Sequence, residues 1–255
     1  MDGTTKDFGP IRDDYSFFED HSTEAAEDVR AYIPELCSLV NRDQPFHMLD
    51  FGCAEGRFIE RLLTSFKVSP ENLHLSLVEP VEIYRRQAAQ RLQSRTAHPI
   101  PAWPALPVGL TGSFDIVLAN HVFYYVPDLN DLVAKIIHTL SNGGALLTAM
   151  AGQENTLIQF WNHCFALLGK KVPFHTAEEL ELIASRHQLN CQQKKVSYEL
   201  AFSDSEANRL SVMRFLLGEH FGDVPRQTML DLFNPYTARG QTKLRITHRH
   251  FVIKS

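Results

Sequence analysis

The stretch that most narrows the fold is Leu49-Asp50-Phe51-Gly52-Cys53-Ala54-Glu55-Gly56-Arg57-Phe58, where a short apolar run ends in an acidic residue and small residues lead into a helical pattern. Phe46–Phe51 reads as a buried strand and Arg57–Phe66 as a helix, so the small residues fall at a strand-to-helix turn. Gly52 and Gly56, with Ala54 between them, let the backbone approach a ligand closely at a helix N-terminus. The segments that follow keep alternating. Strands are predicted over 73–78, 114–119 and 145–150, the last after a turn at Asn142-Gly143-Gly144, with helices over 81–95 and 129–140. Such alternation predicts an α/β fold with a parallel sheet and helices on both faces.

The rest of the chain closes that sheet. Pro99, Pro101, Pro104 and Pro107 exclude a central strand between 95 and 114, leaving room for a short or degraded one. Helices over 156–168 and 177–187, a strand over 191–202 and an antiparallel strand over 243–255 follow, with a helical insertion at 203–240 before the last strand. Residues 1–20 read as an irregular arm, and a helix runs from Ser22-Thr23-Glu24 to Val40. The expected organisation is one domain. Its cofactor-binding core is 46–202, and the arm and helix at 1–42 and the insertion at 203–240 together form a substrate lid.

Composition removes several classes of partner. A formal net charge of −5 argues against nucleic acid, which needs a positive footprint. Cys37, Cys53, Cys164 and Cys191 are scattered with no metal-ligand spacing, so free thiols are expected. No long apolar run and no apolar leader occur, which predicts a cytoplasmic protein that does not enter a membrane, as monomer or homodimer.

The glycine spacing is one residue shorter than the dinucleotide fingerprint, and Asp50 ends the strand. A pyrophosphate disfavours a nearby carboxylate, whereas S-adenosylmethionine brings a sulfonium and an amino group that Asp50 can help hold through water. One βαβ step later, Val78-Glu79-Pro80 places Glu79 to accept hydrogen bonds from both ribose hydroxyls, beside Pro80. Gly52, Ala54, Gly56, Asp50, Glu79, Pro80 and Asn120 are therefore the candidate cofactor contacts. Asn120 and His121 end the strand within Phe114-Asp115-Ile116-Val117-Leu118-Ala119-Asn120-His121, at the edge where open α/β sheets bind ligands. His121 is a candidate base or substrate-orienting donor, or else a packing residue. Trp103 is a candidate adenine wall or a surface plug.

These two segments resemble motifs I and II of class I S-adenosylmethionine-dependent methyltransferases, and the FDxV strand resembles their motif IV. The resemblance implies an α/β Rossmann-like methyltransferase fold: a seven-stranded, mostly parallel sheet with a reversed last strand. The loop after Asn120 lacks the Asn/Asp-Pro-Pro-Tyr/Phe signature of nucleobase and glutamine methylases. Phe17-Phe18-Glu19-Asp20-His21-Ser22-Thr23-Glu24 is locally a helix start, and it also resembles the His-Ser-Thr-Glu segment of histamine N-methyltransferases. Val78-Glu79-Pro80, Tyr124-Tyr125-Val126, Phe160-Trp161 and Thr176-Ala177-Glu178-Glu179-Leu180 extend that likeness in register. It implies Glu24 and His121 as catalytic and substrate-binding residues. Phe18 and Trp161 are candidate pocket walls or else plain core, and Tyr125 is a candidate substrate contact or else a core residue. The likeness also implies a substrate contact near Ile246, where the family carries asparagine. His121 stands where the family has glutamine, so the same architecture is expected with another small-molecule substrate.

Methyl transfer from a sulfonium is an in-line displacement, served by alignment and exclusion of water. The expected acceptor is an amine nitrogen, with a small-molecule O-methyltransferase or a non-catalytic methyltransferase-like binding protein as alternatives. A polyamine synthase needs an acidic pair where Asn120-His121 stands, and a nicotinamide dehydrogenase is disfavoured by the glycine spacing. Phe17, Phe202 and Phe215 are further wall candidates or plain core. His248 and His250 share a face of the closing strand, but the sequence shows no third ligand, and no metal is expected.

Overall fold

The computed structural model describes residues 9–254. Its sheet runs β3(Ala102–Trp103), β2(Leu73–Val78), β1(Phe46–Phe51), β4(Phe114–Asn120), β5(Leu140–Met150), β8(Gln241–Lys254), β6(Asn190–Ser203). β1, β2, β3, β4 and β5 pair in parallel, and β8 is antiparallel to both β5 and β6. The seven strands and the reversed closing strand are as expected. A two-residue strand, β7(Thr237–Ala238), adds a hairpin onto β8.

Strand alternation builds two cores. Met48, Ile116 and Leu118 face α2(Glu24–Leu39), α3(Arg57–Phe66) and α4(Glu82–Leu92). Leu49, Val117 and Ala119 face α5(Leu129–Thr139), α6(Thr156–Leu167) and α7(Ala177–Arg186). α5 is fixed at its start by Asp128, whose side chain accepts from the Asp131 N–H. Asn155 does the same for α6, taking the Leu157 and Ile158 N–H groups.

Two expectations are corrected. Asn142-Gly143-Gly144 lies inside β5, which begins at Leu140, because β4 and β5 shift register between Phe114 and Ile116. Gly144 permits that bulge: a Cβ there would sit 2.8 Å from the Phe114 carbonyl oxygen. The N-terminal arm carries a helix, α1(Arg12–His21), where an irregular segment was expected, and its first eight positions lie outside the described residues. Asp13 and Asp14 favour the N-terminal end of α1, while Phe18 stacks on Phe215 of α8(Glu206–Leu217) at 4.8 Å.

α8 opens the insertion between β6 and β8, which continues through the short α9(Arg226–Asp231) to β7. Asp14 fastens α1 to α8, accepting from Arg214 Nε at 3.1 and 3.0 Å and from Ser211 Oγ at 2.8 Å. Asp14→Ala is expected to destabilise α1 by about 1–2 kcal/mol, as loss of a partly exposed charged pair does. Limited proteolysis should then cut between residues 9 and 21 faster than in the wild type, with the sheet intact.

Candidate active site

The turn after β1 is built from three residues in the left-handed region: Gly52 at φ 76°, Ala54 at φ 45° and Gly56 at φ 78°. Gly52 and Cys53 both donate their N–H groups to the Val78 carbonyl, at 2.7 and 3.3 Å, which folds the turn over the end of β2. A Cβ on Gly52 would meet Val122 Cγ2 at 2.3 Å, and one on Gly56 would meet Ala88 Cα at 3.1 Å. The turn therefore brings bare backbone to the head of α3, against α4 and the loop after β4.

Glu79, 7% exposed, closes this end. Its Oε2 accepts from the Ala54 N–H at 3.1 Å and its Oε1 from the Val81 N–H at 2.9 Å. Each oxygen keeps a second lone pair, so the carboxylate fits two ribose hydroxyls. Burial raises its pKa, against the lowering effect of those two N–H groups and of Arg85. Asp50, buried deeper, is pushed up to about 8, first by burial and then by the neighbouring Glu79 charge. The Cys53 thiol is raised mainly by burial, so it is an inert wall group.

A cavity of about 1180 Å³ runs from this turn to the inner face of α2, lined by Gly52, Cys53, Ala54, Glu79 and Pro80 at one end. Glu24, Asp28, Asn120, His121, Tyr124, Tyr125, Trp161, Tyr198 and Phe215 line the other, which we term the acceptor end. Glu24 sits at the start of α2 and Asp28 one turn on, so both carboxylates share the helix face turned to β4 and β8. The Tyr198 hydroxyl hydrogen-bonds Glu24. His121, at φ 53°, turns sharply out of β4 and is held by its N–H on the Ala149 carbonyl. Its Nε2 lies 3.0 Å from Asp28 Oδ2 and 3.8 Å from Glu24 Oε1, and its Nδ1 lies 3.2 Å from the Tyr124 hydroxyl. Burial would lower the His121 pKa, but the Glu24 and Asp28 carboxylates outweigh it and raise it to about 9.

The expected residues divide by position. Gly52, Ala54, Glu79 and Pro80 gather at one end of the cavity, and Glu24, Phe18, His121, Tyr125 and Trp161 also reach its wall. The Asn120 side chain is engaged elsewhere, accepting from the Tyr32 hydroxyl at 2.9 Å and donating to Asp28 Oδ2 at 3.2 Å. Asp50 and Gly56 are set back from the described wall, which Phe51 and Gly52 form. Trp103 pairs in β3 beside Val78 and packs into the core, leaving Pro104, Ala105 and Leu106 on the wall. Phe17 and Phe202 pack edge to face at 5.7 Å away from the wall. Ile246 is fully buried, and His248, two residues along the same strand face, is the side chain that approaches Glu24, at 3.9 Å. Asp28 escaped the sequence reading, although its position four residues after Glu24 was the available signal.

The sequence model of a methyltransferase-domain family matches residues 21–194. Among curated proteins, the trans-aconitate 2-methyltransferase of Rhodopseudomonas palustris (strain BisB18) is 30% identical over 142 residues, covering 53% of this chain and 48% of the relative. That of Afipia carboxidovorans is also 30% identical over 142 residues, with the same coverage. The chain thus spans about half the length of the curated relatives it matches. Among solved structures, the YcgJ protein from Bacillus subtilis superposes with a TM-score of 0.58 at 14% identity, over 88% of this chain and 98% of that one. Magnesium protoporphyrin IX methyltransferase from Synechocystis PCC 6803, solved with bound SAH, gives 0.53 at 11% identity over 91% of this chain and 84% of its own. These structural likenesses share the fold.

Proposed function

This chain belongs to the methyltransferase-domain family, and on that premise we propose that it methylates a small molecule at an amine nitrogen, binding the acceptor as a cation. The cofactor is S-adenosylmethionine, which supplies an electrophilic methyl group on a sulfonium. Gly52 and Ala54 give it the bare turn, Glu79 takes the ribose hydroxyls, and Pro80 borders the site. Asp50 offers the cationic end a carboxylate from behind that turn.

The observation that carries the acceptor class is the sign of the charge around the cavity. Seven acidic residues (Glu19, Glu24, Asp28, Glu55, Glu79, Asp128, Asp131) face it against four Arg and Lys residues (Arg12, Arg57, Arg61, Lys135) and the His121 imidazolium, which pairs with Asp28. All four basic residues are exposed. Arg12 and Arg57 pair with Glu55, and Lys135 with Asp131. The acceptor end holds Glu24 among aromatic rings, Tyr124 lying 6.2 Å from Trp161 and 5.6 Å from Tyr125, while Asp28 behind it is taken up by His121, His248 and His250. A carboxylate inside an aromatic enclosure attracts an ammonium group. A tricarboxylate would need arginine forks, and among the described residues none lies at this end. That argues against carrying over the acid substrate in the relatives' name.

In this reading Glu24 orients the ammonium group and receives the proton that it sheds before attack. His121, fixed between Asp28 and Tyr124, holds the acceptor in line, while Phe18, Tyr125 and Trp161 exclude water. α1 and α8 form the cover. The likeness of residues 17–24 to histamine N-methyltransferases supports the same acceptor atom.

Radiolabelled methyl transfer to arylalkyl amines, phenols and tricarboxylates tests the proposal. Amines should be turned over, and Glu24→Gln should raise the KM for them about tenfold, the loss of one charged hydrogen bond. KM for neutral phenols should not move. Preferred turnover of tricarboxylates, or unchanged kcat/KM in both Glu24→Gln and His121→Ala, would overturn it.

A further inference from the structure

β8 alternates, so His248 and His250 project from the same face, and that face packs on α2. There they meet Asp28. Asp28 Oδ1 lies 2.7 Å from His248 Nε2 and 2.8 Å from His250 Nε2, and the two Nε2 atoms are 3.1 Å apart. All three side chains are buried, His250 being 3% exposed and the other two fully enclosed. We propose that Asp28, His248 and His250 form a binding site for one divalent transition-metal ion of the zinc type, tying α2 to the closing strand.

Three lone-pair donors converge here on one point, from two regular elements far apart in sequence. Two imidazole nitrogens and one carboxylate oxygen suit zinc and its first-row neighbours, whereas magnesium and calcium prefer oxygen alone. The carboxylate is held in the manner of a ligand. While Oδ1 faces the imidazoles, Oδ2 is fixed by His121 Nε2 at 3.0 Å and Asn120 Nδ2 at 3.2 Å. Tyr32 in turn donates to Asn120, and its ring lies tilted 4.3 Å from the His250 ring.

The outer nitrogen of His248 points the same way. Like His250 Nδ1, His248 Nδ1 is buried with no hydrogen-bond partner, and of the two it is His248 Nδ1 that has a carboxylate near it. If the His248 Nε2 proton alone served Asp28, a bare Nδ1 would face the Glu24 carboxylate 3.9 Å away. With Nε2 on an ion, Nδ1 carries the proton instead and faces Glu24 as a donor, the usual carboxylate–histidine–metal order. The competing arrangement is a purely hydrogen-bonded Asp28 cluster.

The full chain, stripped with chelator and dialysed, would be titrated with Zn²⁺ by calorimetry and with Co²⁺ by visible absorption. The expected result is one ion per chain, a higher melting temperature, and the intense cobalt bands of a four-coordinate nitrogen/oxygen site. Asp28→Asn and His250→Gln, which keep the size and polarity of the side chains, should each weaken binding at least a hundredfold. Circular dichroism would show that they fold. X-ray absorption on the wild-type zinc form should show two imidazoles, which keeps the test decisive if both variants unfold. No saturable uptake by the wild type would overturn the site, leaving a hydrogen-bonded cluster. Uptake that survives both substitutions but falls in His98→Ala would also overturn it, placing the ion on the surface stack of His47, His74 and His98. None of these readouts depends on methyl transfer.

Discussion

Gly52→Ala is expected to cost the folded protein about 3 kcal/mol and to lower its affinity for S-adenosylmethionine at least a hundredfold. Two penalties combine. At φ 76° a residue with a Cβ is strained, and placing one in the left-handed region costs about 1–2 kcal/mol. The new methyl would also lie 2.3 Å from Val122 Cγ2 and 2.9 Å from Val122 Cβ, an overpacking that costs about 1–3 kcal/mol. Relief by displacement moves the segment after His121, so the turn and the acceptor end shift together. Denaturant unfolding and calorimetric titration measure the two losses. Adding Val122→Ala should return the steric part of the stability and leave the conformational part, and an unchanged midpoint in Gly52→Ala would refute the argument.

The second large effect concerns Asp50. Burial and the Glu79 charge raise its folded pKa to about 8, against about 3.9 in the unfolded chain. Between those two values the folded state holds a proton that the unfolded state has lost. Its contribution therefore lowers stability as pH rises from about 4 to about 8, and levels off above. Asp50→Asn removes that penalty and should stabilise the cofactor-free protein by about 2 kcal/mol at pH 8.5, with little effect near pH 4, a conservative part of the full shift. Cofactor binding has the opposite demand, because a cationic ligand favours the ionised carboxylate. In the wild type, binding should release a proton. Affinity should rise about tenfold from pH 6 to 8, and the binding enthalpy should differ between phosphate and Tris buffers. Asp50→Asn should flatten both dependences, and the ligand's own titration cancels in the comparison. Equal buffer dependence in the two proteins would assign the proton elsewhere.

The cofactor end was legible because its determinants are local. Gly52, Ala54 and Gly56 are alternate small residues just past a strand end, and Glu79 directly follows the neighbouring strand. The reversed last strand was legible from alternation in 243–255. The acceptor end depends on contacts that no window contains. Asp28 meets His250 with a sequence separation of 222, and nothing near Asp28 announces it beyond its spacing from Glu24. Ile246, near which a substrate contact was expected, is fully buried, and His248, two positions along the same strand face, is the residue that nears Glu24; an offset of two keeps the strand face and leaves no mark in the polarity pattern. The short strand allowed among the prolines is present at Ala102–Trp103, but that Trp103 is half-buried against the core rather than facing the cavity depends on packing that the local sequence does not encode. α1 was hidden because only α8, almost two hundred residues later in sequence, supplies the aromatic partner for Phe18.

The position of β8 between β5 and β6 fixes the order in which the molecule is assembled. A chain growing from its N-terminus completes β6 before the strand that joins it to β5 exists. Until β8 is made, β5 ends in an open edge and β6 has no neighbour in the sheet. Pairings across such sequence distances are slow, and exposed edges of this kind invite association between incomplete chains. β8 also carries His248 and His250. The nascent protein therefore owns the glycine turn and the cavity wall before it owns the strand that packs behind Asp28, and the last strand to arrive delivers that backing and the continuity of the sheet in one event.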